Sequence, residues 1–93
     1  MTTGRIASYI HSDKTTPAKA GCLVRVTSDT DFAAHTAEFS AFADKAAKFC
    51  YAAQAGAWSD VAAMFPDLEA ERVTLAASLK ENIAIDQIAM LAL

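Results

Sequence analysis

The chain has 93 residues, of which 54% are apolar, 9% aromatic and 20% charged, and its formal net charge is −3. That is the size of one small domain, able to bury about 60–65% of its unfolded surface, with a globular rather than a disordered composition. Lysines and arginines are scattered singly, which provides no basic face for phosphates and argues against direct nucleic-acid binding. No apolar run approaches the roughly 18 residues of a membrane span, and no apolar leader follows Met1-Thr2-Thr3-Gly4-Arg5, so no membrane partner and a cytoplasmic location are expected.

The first predicted element is the strand RIASYIH, residues 5–11, in which Ile6, Ser8 and Ile10 alternate with Arg5, Ala7, Tyr9 and His11. A second strand, GCLVRVT over 21–27, sets Cys22, Val24 and Val26 against Leu23, Arg25 and Thr27, and the polar, proline-containing SDKTTPAKA between them suits a long hairpin connection. The expectation is an antiparallel pair. Cys22 and Cys50 are isolated from each other and from any metal-ligand spacing, and buried thiols are favoured over a disulfide.

From Ser28 the period changes. Phe32, Phe39, Phe42, Ala43, Ala46, Phe49, Cys50 and Ala53 recur at helical spacing, which predicts one long helix ending at Gln54-Ala55-Gly56, with Gly56 as a left-handed cap. Ser28, Asp29 or Thr30 can cap its first amides, and Asp31 and Glu38 put negative charge toward its positive end. Phe32 has two readings on spacing alone: the first rung of the apolar stripe, or an aromatic displayed for a partner beside Asp31. A short helix is expected over Trp58 to Phe65, cut off by Pro66, and a second long helix from Asp67 to about Asn82 with an apolar line through Leu68, Leu75 and Leu79. The final ENIAIDQIAMLAL reads as a strand through Ile83, Ile85 and Ile88 that joins the hairpin. Its second half is apolar at both parities, through Met90 and Ala92 as well as Leu91 and Leu93. A strand apolar on both faces calls for cover on both, the helices on one side and a second copy of the chain on the other.

These elements predict an α+β fold over residues 1–93 as a single domain: a three-stranded antiparallel sheet, made of the hairpin and the C-terminal strand, with two long helices and one short one on one face. Parts for catalysis are missing. The chain has no glycine-rich phosphate loop, no serine nucleophile elbow and no HExxH, and His11 and His35, its two imidazoles, read as edge or surface residues. No enzyme chemistry, no metal and no cofactor are expected.

TDFAAHTAEFSAFADKAA resembles the TDFVA motif and following helix of the elongation factor Ts family, the nucleotide-exchange factors of the GTPase elongation factor Tu. IASYIH and GCLVRV are similar to the hairpin before that motif, and AERVTLAASLKENIAI to the helix-into-strand segment with its GENI-type turn. The resemblance covers residues 4–93 and implies the amino-terminal half of the family's core. It implies that Asp31 and Phe32 are displayed toward Tu near its magnesium and phosphate site, where they promote GDP release, with Thr30 and Ala33 shaping the loop. A second contact with Tu is implied at the turn of Leu79, Lys80, Glu81, Asn82 and Ile83. Here the chain departs from the family: Lys80 stands for the usual glycine, and Asp86 and Gln87 for common arginines, so a different turn shape is expected. Nothing resembles the family's ubiquitin-associated-like helical module, its second core half or its coiled-coil insertion, and family members with one core half form homodimers. The expected function is guanine-nucleotide exchange on Tu. The alternatives are a Tu-binding or assembly module without exchange and a structural homodimer outside translation.

Overall fold

The alternating segments pair as a hairpin in the computed structural model, which describes residues 3–93. Strands β1 (Thr3–His11) and β2 (Ala20–Ser28) are antiparallel, with Ala7 opposite Val24 and Tyr9 opposite Cys22. Four helices follow, α1 (Asp31–Ala34), α2 (Ala37–Ala53), α3 (Trp58–Met64) and α4 (Pro66–Leu79), before β3 (Ala84–Ala92) adds antiparallel to β2. The sheet order is β1-β2-β3, and the expected α+β architecture holds.

Helices cover one face. Cys22, Val24 and Val26 of β2 meet Phe39, Phe42, Ala43, Ala46, Ala47 and Cys50 of α2, all buried, while Val61, Leu68 and Leu75 close the core from α3 and α4. Alanines at helical spacing let α2 lie close against the sheet, and burying Phe39 is worth about 2–3 kcal/mol in apolar transfer. The two thiols are free and buried in this seam. Burial, followed by the proximity of Cys22, pushes the Cys50 thiol up to about 12, and burial raises Cys22 too, so both behave as small apolar groups.

A bulge brings Ile85 and Ile88, three residues apart, onto one face of β3. Ile88 pairs with Val24 and Gln87 with Arg25, but Val26 pairs with Ile85, so Asp86 is the extra residue. One inserted residue reverses the alternation, which lets Ile85, Ile88 and Met90 all turn toward the helices. Asp86 closes a two-pronged pair with Arg25, at 2.7 Å to Nε and 3.0 Å to Nη2. The other sheet face is bare: Ile6, Ile10, Leu23, Leu91 and Leu93 are exposed.

Five expected boundaries move. The single long helix from Ser28 is broken at His35 and Thr36 into α1 and α2. Thr36 is the joint, because its hydroxyl donates to Ala33 O at 2.9 Å, closing α1, and accepts from Phe39 N at 3.2 Å, opening α2. Gln54, not Gly56, takes the left-handed cap (φ 53°), and Tyr51 O accepts from both its backbone amide at 3.0 Å and its side-chain amide at 2.7 Å. Pro66 is the first residue of α4 rather than a break before it, a position where its missing N–H is not needed. That helix ends at Leu79, short of Asn82, and Ile83 is buried just ahead of β3 rather than within it.

Candidate functional site

The chain leaves β2 through a tight polar corner. Ser28 Oγ donates to Thr30 O at 2.8 Å, and Thr30, extended at φ −132°, caps α1 by accepting from Ala33 N at 3.3 Å. One helical turn follows, in which Ala33 and Ala34 are buried and anchor the turn, while Asp31 and Phe32 face outward. Phe32 is 81% exposed, against 0% for Phe39 one heptad later. The break at Thr36 takes Phe32 off the buried stripe, which excludes the core reading of this residue. His35 completes the turn: its amide reaches both Asp31 O and Phe32 O at 3.2 Å, and its ring Nδ1 lies 2.6 Å from Asp31 O.

The second predicted segment packs directly against this corner. α4 stops with Lys80 in the left-handed region (φ 57°, ψ 44°) and Glu81 N returning to Ala76 O at 3.1 Å, a closure of the type glycine favours. The expected change of turn shape at Lys80 is therefore not needed: lysine occupies the left-handed geometry, at a steric cost of about 1–2 kcal/mol. Leu79 is half-buried behind the turn and Lys80 is exposed beside it.

Glu81 joins the two segments. Its Oε1 accepts from Asp29 N at 3.1 Å and Thr30 N at 3.0 Å, and its Oε2 accepts from the Thr30 hydroxyl. In return Asp29 Oδ2 accepts from Asn82 N at 2.9 Å. From the far side, Arg72 Nη1 donates to Ile83 O at 2.7 Å, and the same guanidinium grips Glu69, which also accepts from Trp58 Nε1 at 3.1 Å. The Arg72 guanidinium holds the Glu69 carboxyl below its ordinary range, against the opposing effect of burial.

All six predicted contact residues, Thr30, Asp31, Phe32, Ala33, Leu79 and Lys80, thus fall at one end of the molecule, where the start of α1 meets the end of α4. Their exposure differs. Asp31, Phe32 and Lys80 are open to solvent, whereas Ala33 is buried and Thr30 spends its hydroxyl on Glu81 and the α1 cap. The sequence reading treated Asp29 as a capping candidate and missed the tie from Glu81 and the brace from Arg72. No local pattern signals either one, because their partners lie far along the chain. Among the described residues no group of three His, Cys, Asp or Glu side chains gathers as it would around a metal ion, and no helix is long and apolar enough to cross a membrane.

No family model matches the chain. Curated proteins do. Over 71 residues it is 45% identical to Elongation factor Ts of Klebsiella pneumoniae and of Cronobacter sakazakii, and 44% identical to Elongation factor Ts of Escherichia coli. Each match takes in 76% of this chain and 24% of the relative, so the chain spans about a quarter of the length of the curated relatives it matches. The resemblance first seen in the TDF segment thus extends over most of the chain, which is related in sequence to a part of elongation factor Ts.

Proposed function

We propose that this chain binds elongation factor Tu and accelerates release of GDP from it, acting as a compact exchange factor that makes and breaks no covalent bond. The observation that carries this reading is the side-by-side exposure of Asp31 and Phe32 on a one-turn helix whose backbone is tied down on both sides. An aromatic held out in water costs apolar hydration without lending stability, and such a residue is suited to a hydrophobic seat on a partner. Asp31 beside it would bring a negative charge to the edge of a cation and phosphate site, where it perturbs the magnesium environment. Exchange requires differential binding: each tenfold preference for nucleotide-free Tu over the GDP form takes about 1.4 kcal/mol of contact made in one state only.

The test is the rate at which Tu releases fluorescent GDP as this chain is titrated in. Acceleration abolished by Phe32→Ala, with the fold intact, is the expected result; an unchanged rate at saturation would refute exchange. A second reading, binding without exchange, is favoured by how little of its relatives the chain matches, since a partner gripped at fewer sites loses the effective concentration that linked contacts confer. Stable association with Tu and no effect on GDP release would select it.

The proposal includes a homodimer through the bare sheet face. A shallow apolar hollow of about 380 Å³, lined in part by Ile10, Leu23, Ala89, Leu91 and Leu93, occupies one end of that face. Sedimentation equilibrium should give twice the mass of the chain, and Leu91→Arg should return it to a monomer. A monomer at high protein concentration would reject the dimer.

A further inference from the structure

Glu81 stands in an unusual place for a half-exposed carboxylate. It makes no ion pair among the described residues, and its two oxygens take three donors, all from a loop fifty residues earlier in the chain. Those donors are the amides of Asp29 and Thr30, the residues just ahead of α1, and the Thr30 hydroxyl, which also caps that helix. Asp29 answers with its own carboxylate on Asn82 N, the residue after Glu81. The result is a reciprocal lock, each segment supplying one carboxylate that accepts backbone amides of the other. Charge-assisted bonds of this kind are about twice as strong as neutral ones.

We propose that Glu81 is a positioning residue for the pair Asp31 and Phe32, fixing the α1 turn against the Lys80 turn so that both reach a partner as one preformed surface. This rests on the exchange reading above. A one-turn helix has no stability of its own, because nucleation of a helix is unfavourable and α1 never propagates past it. Its conformation is held at one end by Thr36 and at the other by Thr30, and Thr30 is in turn held by Glu81. Without the lock, the partner would have to order the loop at the moment of binding, and that ordering subtracts from the contact free energy available to drive nucleotide out.

Two readouts test it. Glu81→Ala removes both acceptor oxygens and all three hydrogen bonds, and loss of charge-assisted hydrogen bonds should raise amide exchange at Asp29 and Thr30 by at least about tenfold while strand and α2 amides stay protected. With Tu that carries fluorescent GDP, the saturating release rate should fall by at least about tenfold, with the half-saturating concentration changing by less than about threefold, the split expected when a contact made only in the transition state is lost. Glu81→Gln keeps a carbonyl for the two amides but loses the acceptor for the Thr30 hydroxyl and the charge assistance, so both readouts should fall between wild type and Glu81→Ala. Asp29→Ala, which cuts only the Asn82 link, should give a smaller loss of the same kind and supplies the measurement if Glu81→Ala does not fold. Unchanged amide exchange in Glu81→Ala, or a loosened loop with a wild-type release rate, would overturn the inference. Failure of the wild-type chain to accelerate release would instead sink the exchange reading, and the lock would stand or fall on the amide exchange alone.

Discussion

The two helices that follow β2 are built on opposite terms. α2 turns six residues into the core and owes its place to apolar contact with β1 and β2, so its position is over-determined by packing. α1 buries two alanines and shows its largest side chain to water; those alanines anchor it on the sheet, and its orientation is set by hydrogen bonds from Thr30, Thr36 and the carboxylate of Glu81. Packing is non-directional and strong in sum, whereas a hydrogen-bonded turn is directional and individually weak. The first suits a scaffold and the second suits a presented surface, since it fixes orientation without covering the side chains it orients.

The largest contrast should come from the two phenylalanines. Phe39→Ala empties a fully buried site and should lower unfolding free energy by about 3–5 kcal/mol, whereas Phe32→Ala should change it by no more than about 0.5 kcal/mol, both read from urea denaturation. Comparable losses for the two would erase the distinction between the helices. Gly4 probes the scaffold at its edge: at φ 147°, a Cβ there would lie 2.1 Å from Val26 O, so Gly4→Ala should destabilise by about 1–3 kcal/mol in the same titration.

Lys80→Gly acts in the opposite direction on the presented surface. Relief of the left-handed strain, less the added freedom of glycine in the unfolded chain, should stabilise by about 0.5–1 kcal/mol, measured as a raised denaturation midpoint. The smallest effect is in acid. The Glu69 carboxyl is held below its ordinary value near 4.5, chiefly by Arg72, so its contribution to stability is fully present above that pH and is lost as pH falls through the lower folded value. Thermal melts should therefore show an acid limb starting below about pH 4.5 that is flatter in Glu69→Gln. Because Arg72 also holds Ile83 O, amides of the 80–83 turn should lose protection over the same range.

Much of the fold was legible from local pattern. Alternation marked both hairpin strands, helical spacing marked Phe39 through Ala53 and Leu68 through Leu75, and the mixed parity of the last strand pointed to a sheet with a bare apolar face. The helix break was harder to see. Thr30 and Thr36 are both good caps, and only the anchoring of Ala33 and Ala34 against β1 and β2 makes two short-range caps more favourable than one continuous helix across His35. Of the six predicted contact residues, those of the TDF segment could be recognised by motif, but that Leu79 and Lys80 come to lie beside them follows from the return of α4 toward the end of β2.

What the sequence determined by itself is the set of local choices: periods of two and 3.6, threonines placed to cap, an acidic first turn, and a proline where a helix can begin. These follow from backbone sterics and short-range hydrogen bonding, which act within a few residues. The tertiary structure decided which face of β1 is buried, that Asp86 is bulged so that Ile85 and Ile88 share a face, that lysine at position 80 accepts a left-handed backbone, and that Glu81 closes onto Asp29 and Thr30. Each of these depends on the register between segments distant in the chain, and register is set by the summed burial of the sheet's covered face rather than by any one residue's preference.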